Sequence, residues 1–146
     1  MLQTLMVKLN PSKEQHKMLR DTMQRFNEAC NAIAEIAFTI HKANKVEIHK
    51  LVYYDTRERF GLSSQLTVRA ISKVAEAYKR DKSIKPEFQL DGAIVYDQRI
   101  LAWKGLEAVS LITLEGRQLI PVRIGDYQKA RMDRVRGQAD LILVKG

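Results

Sequence analysis

The sequence predicts an α+β fold: a small β-barrel with a three-helix bundle inserted after its first strand. Three observations predict it. An alternating apolar segment stands alone at the start, and three stretches of helical period follow it. From Phe88 onward the period changes to short β-rich runs separated by turn signals. The chain accordingly divides into a first barrel strand over residues 1–10, a helical lobe over 11–85 and the rest of the barrel over 86–146.

Leu2 to Leu9 alternates, with Leu5, Val7 and Leu9 on one face and Thr4 and Lys8 on the other. Asn10-Pro11-Ser12 stops this strand. Two helix starts are open there: Asn10 as cap with Pro11 in the first turn, or Ser12 with Gln15 as a capping box. Beyond them Leu19, Met23, Phe26, Cys30, Ile33, Ala37 and Ile40 recur at steps of three and four. The other face carries Arg20, Gln24, Asn27, Asn31 and Glu35. So long a seam needs partner helices, because an isolated amphipathic helix is marginal in water.

Asn44-Lys45 is the expected break. A shorter helix over Ile48 to Glu58, with Ile48, Leu51 and Val52 inward, is ended by Gly61. Ser63 or Ser64 caps a third helix that runs to Arg80, with Leu66, Ala70, Ile71, Val74, Ala77 and Tyr78 inward. Arg69, Lys73, Glu76 and Arg80 form a charged stripe along it.

The β-rich runs are Ala93–Tyr96, Ile100–Trp103, Val109–Leu114, Gln118–Arg123 and Ala139–Val144. Glu115-Gly116 suits a hairpin turn between two of them. Gly125 opens a short helical stretch, Asp126 to Arg134, which Gly137 closes. Five such strands plus the first would suit a closed barrel better than a sheet with bare edges.

Composition points to a polyanionic partner. Lys and Arg outnumber Asp and Glu by 25 to 17, giving a net charge of +8 and a pI of about 9.7. The excess is concentrated early: residues 1–80 hold 14 basic against 8 acidic side chains, and 81–146 hold 11 against 9. Such a field attracts nucleic acid and accelerates encounter with it. Simple solubility is the plainer reading of the same charge. No apolar run approaches the roughly 20 residues of a membrane span, and the first residues lack the features of a secretory leader. A lone cysteine, Cys30, suits a reducing compartment. The expected setting is the cytoplasm, in association with the nucleoid, and no membrane partner is expected.

Catalytic patterns are lacking. His16, His41, His49 and Cys30 show no metal-ligand spacing. Glycines are scattered among turns, no G-x-S-x-G element occurs, and Asp91, Asp97 and Asp140 read as turn or strand-end residues. No catalytic residue, metal or cofactor is therefore expected.

Three features suit nucleic acid. The third helix offers Gln65, Thr67, Arg69, Lys73, Lys79 and Arg80, in which basic groups would track phosphates and Gln or Thr would reach base edges or sugars. The connecting segment adds Lys82 and Lys85. Lys129, Arg131, Arg134 and Arg136 lie on or just after the short helix of the barrel. Tyr96 and Tyr127 are candidates to stack bases, while Trp103 suits the core better. A solvated helix face and a solvated linker are the alternatives for the first two features.

Several segments together resemble a known family. They are Leu9-Asn10-Pro11-Ser12-Lys13-Glu14-Gln15, Phe26-Asn27-Glu28-Ala29-Cys30-Asn31, Leu62-Ser63-Ser64-Gln65-Leu66 and Val68 through Lys79. Tyr96-Asp97-Gln98-Arg99, Val109-Ser110-Leu111, Leu114-Glu115-Gly116-Arg117 and Gly137-Gln138-Ala139-Asp140-Leu141 continue the pattern. In order and spacing they resemble the N-terminal half of the transposon-encoded OrfB/TnpB proteins, RNA-guided DNA nucleases related to type V CRISPR effectors.

The resemblance implies a wedge-like, OB-like barrel with an inserted recognition lobe. It implies contacts to a guide-RNA scaffold, to the guide–target duplex and to a short flanking DNA motif. Gln65, Arg69 and Lys73 would then face DNA or heteroduplex, and Lys129, Arg131 and Arg134 would face RNA. Full members of the family continue into a nuclease domain, whereas this sequence stops at Leu143-Val144-Lys145-Gly146. The expectation is thus recognition of guide RNA and target DNA without nuclease activity. Two alternatives stay open: an interaction subunit completing a separately encoded nuclease half, and a truncated transposon remnant. An open C-terminal strand edge would pair with such a nuclease chain or with a second copy.

Overall fold

A computed structural model describes residues 6–97, 99–105, 107–123 and 139–143. It is α+β, with three helices and an antiparallel four-stranded sheet. Strand β1 is Lys8–Leu9, and the chain leaves it directly for helix α1, Lys13–Ile40. Ser12 caps that helix as a capping box: its side chain accepts from the Gln15 N–H, and the Gln15 amide oxygen accepts from the Ser12 N–H. The same Gln15 amide donates to the Leu119 carbonyl at 2.9 Å, so one side chain both starts the helix and fastens it to a strand.

Helix α1 buries Leu19, Met23, Phe26, Cys30, Ile33 and Ala37, which is the seam expected from its period. It ends at His41, whose left-handed backbone sends its N–H back to the last carbonyls. Asn44 does not merely break the helix. Its side chain accepts from the Val46 and Glu47 N–H groups and caps α2, Lys45–Phe60. Gly61, with φ of 66°, closes α2, and Ser63 caps α3, Ser64–Arg80. Helix α2 packs through Ile48, Val52, Thr56 and Phe60, one residue per turn. Leu51, expected inward, is 61% exposed, because only a narrow row of α2 reaches the bundle.

The remaining strands are β2 (Ile94–Tyr96), β3 (Leu101–Lys104), β4 (Ala108–Thr113), β5 (Gly116–Arg123) and β6 (Ala139–Leu141). β4 and β5 form a hairpin whose turn is Leu114-Glu115, with Thr113 opposite Gly116. Gly116 sits at φ of 94°, a conformation that favours glycine. The sheet order is β1-β5-β4-β3, and β2 pairs separately with β6. The helical lobe is therefore inserted after a first strand whose partner, β5, comes far later: Lys8 lies opposite Arg123 and Leu9 opposite Val122. The closed barrel is not formed among the described residues. Four strands make an open sheet, and the two-stranded ladder stands apart from it. The helix expected over Asp126 to Arg134 lies outside the described residues.

Helices and sheet share one core. Phe26, Ile33, Leu66, Ile71 and Val74 from the helices and Ile94, Leu111 and Ile120 from the strands are all 2% exposed or less. Each such side chain stabilises the fold by roughly 1.5–3 kcal/mol through apolar burial. No helix among the described residues is long and apolar enough to cross a membrane.

Candidate nucleic-acid interface

The charged stripe of α3 does not face solvent along its length. The chain from Ala93 to Asp97, including β2, runs beside it and is tethered at two points. At the far end the Lys73 ammonium donates to the Ala93 carbonyl at 2.8 Å and to Asn27 Oδ1 at 3.0 Å. At the near end the Gln65 amide donates to Asp97 Oδ2 at 2.7 Å. Arg69 lies between these tethers, and beyond them the stripe exposes Glu76 and Arg80.

Lys73 is consequently a correction to the expected phosphate contact. Its ammonium also sits 5.5 Å from the Phe26 ring centroid and 5.2 Å from that of Phe88. Burial lowers its pKa from the ordinary lysine value, an effect opposed by Cys30 and Asp140. Asn27, expected on an outer face, is fully buried and completes this network. Its amide donates to the carbonyls of Met23, Leu90 and Gly92, and its oxygen accepts from Lys73. Asn31, one turn on, exchanges two hydrogen bonds with the backbone of Phe88. These two amides hold the crossing from helical lobe to sheet. A Cβ at Gly92 would lie 3.0 Å from the Gln89 carbonyl oxygen and 3.4 Å from Asn27 Oδ1, so a larger residue there would force these neighbours to shift.

Thr67 and Tyr96 also need correction. Thr67 is fully buried on the core face, with its hydroxyl donated to the Ser63 carbonyl. Tyr96 is 1% exposed and donates to the Ile112 carbonyl at 2.9 Å. Neither reaches a ligand at the surface. Tyr127, Lys129, Arg131, Arg134 and Arg136 lie outside the described residues.

At the near end of the stripe, residues from three distant parts of the sequence meet. Asp97 accepts from Gln65 and from the Arg99 N–H, which fixes the turn after β2. The Arg99 guanidinium reaches back toward Gln65 Oε1 at 3.4 Å. Arg117, on β5, donates to Ser110 Oγ at 3.0 Å and to the Arg99 carbonyl at 3.1 Å. Arg99 and Arg117 are exposed, and one carboxylate is shared within this group. One turn along α3 from Gln65, Arg69 Nε is buried without a hydrogen-bond partner among the described residues. A donor left in that state costs about 1–3 kcal/mol.

The other end of α3 is openly basic. Lys79, Arg80, Lys82 and Lys85 are all exposed. Asp81 accepts from the Ser83 hydroxyl and N–H, which holds its carboxyl below the usual range and shapes the turn that follows. The helix spans about 25 Å at 1.5 Å per residue, so the two basic ends are about that far apart.

Other reactive groups offer less. Cys30 is fully buried, and burial pushes its thiol up to about 12, so it is not a thiolate near neutral pH. Among the described residues no group of three His, Cys, Asp or Glu side chains is arranged to hold a metal. Sequence reasoning passed over Arg99 and Arg117 as contact residues. They come together only because β4 pairs with β3 on one side and with β5 on the other.

No protein-family model matches the chain, and comparison with curated proteins finds no match.

Proposed function

We propose that the chain is a nucleic-acid-binding module that recognises structured RNA and DNA, in the manner of the recognition half of an OrfB/TnpB-type guided nuclease. The observation that carries this reading is the convergence of Arg99, Arg117 and Gln65. Guanidinium groups fixed by their own hydrogen bonds keep further donors in a set orientation, which suits phosphate recognition. Gln65 presents an amide beside them, the kind of group that reads base edges. The net charge of +8 and the basic far end of α3 support a long polyanion rather than a small anion.

The sequence resemblance supports the same reading and adds a guide scaffold and a target duplex as partners. It also favours a wedge-like arrangement of the strands. A second reading, an interaction subunit that completes a separately encoded nuclease half, draws support from the position of β3 at a sheet edge.

Replacing Arg99 by Glu together with Arg80 by Glu tests the proposal, because the pair removes one cation from each basic end. Binding of labelled duplex, followed by anisotropy at low salt, should weaken by about tenfold or more, and the dependence on salt should become shallower. Unchanged affinity and salt slope in a folded variant would contradict it.

A further inference from the structure

Helix α2 contributes one buried row to the bundle, flanked by the half-buried His49 and Tyr53, and exposes the rest of its perimeter. That perimeter is divided by charge. Going round the helix from His49 through Tyr53, Arg57 and Lys50 to Tyr54 meets no carboxylate, by the period of 3.6 residues per turn. Glu47, Glu58 and Asp55 fall on the arc beyond Tyr54, and Glu47 is drawn toward Lys42 at 3.7 Å.

The aromatic groups of the basic arc are already organised. The His49 and Tyr53 rings stack with centroids 4.5 Å apart and planes 21° apart. Arg57 Cζ lies 5.8 Å from the Tyr53 centroid, so the three side chains form a ladder at successive turns. Tyr54 stands edge-on to Tyr53 at 5.1 Å and 90°, yet is itself 81% exposed. Lys50 and Arg57 lie on either side of Tyr54 along the axis. A bare aromatic ring, propped by its neighbour and with Lys50 and Arg57 on the flank away from the exposed Glu58, is an arrangement that can hold a single strand through base stacking and phosphate contact.

We propose that this arc binds a single nucleic-acid strand, with Tyr54 stacking an unpaired base and Lys50 and Arg57 meeting the adjacent phosphates. The inference rests on the nucleic-acid reading above, but it assigns a different element and a different form of the ligand. Duplex would engage α3 and its Arg99–Arg117 end, whereas an unpaired stretch would engage α2.

The test uses the full chain with two labelled probes, a mixed-sequence single-stranded RNA and a duplex of the same length. Tyr54→Ala should weaken single-strand binding by about tenfold and leave duplex affinity and thermal stability unchanged, while Tyr54→Trp should retain binding. Lys50→Ala with Arg57→Ala should reduce the logarithmic salt slope for the single strand by about 0.7 per lost contact. Leu51→Ala, on the acidic arc, should change nothing. If the unaltered chain binds RNA and Tyr54→Ala binds it equally well, this inference falls and the general reading stands. If the unaltered chain binds neither probe, both fall. A change in sedimentation mass for Tyr54→Ala without a change in RNA affinity would mark the arc as a self-association face and overturn the inference.

Discussion

Lys73 occupies a position where helical spacing places it in line with Arg69 and Arg80, yet it holds the molecule together instead of facing a ligand. Its ammonium has acceptors from Asn27 and Ala93 and two aromatic rings within reach. Replacing Asn27 by Ala would remove that acceptor and strip donors from the Leu90 and Gly92 carbonyls. We expect a loss of about 2–3 kcal/mol, read as a fall of roughly 5–10 °C in Tm. Lys73→Glu should lower Tm as well, because a carboxylate would face only acceptors. A Lys73→Glu variant with unaltered Tm and weakened nucleic-acid binding would return Lys73 to the surface role. Thr67 was read as a nucleic-acid contact, although it precedes Ile71 by four and Val74 by seven, the spacing of the apolar face that buries it. The burial of Tyr96 was not legible, because it depends on a hydrogen bond to the carbonyl of Ile112 on another strand.

Caps and turns were the most readable elements. Ser12 with Gln15, Gly61 and Ser63 act within a few residues of sequence and each occurs where local chemistry places it, while the hairpin turn expected at Glu115-Gly116 falls one residue earlier, at Leu114-Glu115. Strands β2 to β5 fall within about two residues of their expected bounds, but β1 begins at Lys8 where Leu2 was expected and β6 ends at Leu141 where Val144 was expected. The inward face of α2 was less readable. Ile48, Leu51 and Val52 are all apolar, and the choice among them depends on where α1 and α3 lie. Val52 is 1% exposed and Leu51 61%. Val52→Ala should therefore cost about 2 kcal/mol, and Leu51→Ala no more than about 0.5 kcal/mol, compared by denaturant midpoints at constant slope. Equal costs at the two positions would mean that α2 is rotated from the orientation described.

For the whole molecule, insertion of a helical lobe after the first strand was legible from the change of period. Closure of the strands was not. A run of six β-rich segments suits a barrel or an open sheet, and the difference lies in long-range pairings such as Lys8 with Arg123 and Ile94 with Leu141. The pairing of β3, β4 and β5 and the bond between α3 and the end of β2 create the Gln65–Asp97–Arg99–Arg117 group, so the site could be read only in fragments. Charge was legible as a total, but its availability was not: the middle of the α3 stripe is taken up by β2 and its flanks, which leaves Arg80 as the exposed basic residue of that stripe.

The central claim is that these groups bind structured nucleic acid. Its most direct test is to purify the chain from cells carrying its own locus, at increasing salt, and to sequence the RNA that remains bound. The account predicts one enriched structured RNA that survives moderate salt, with affinity falling steeply as salt rises. Recovery of a mixture reflecting general cellular abundance, or of no RNA at all, would contradict it.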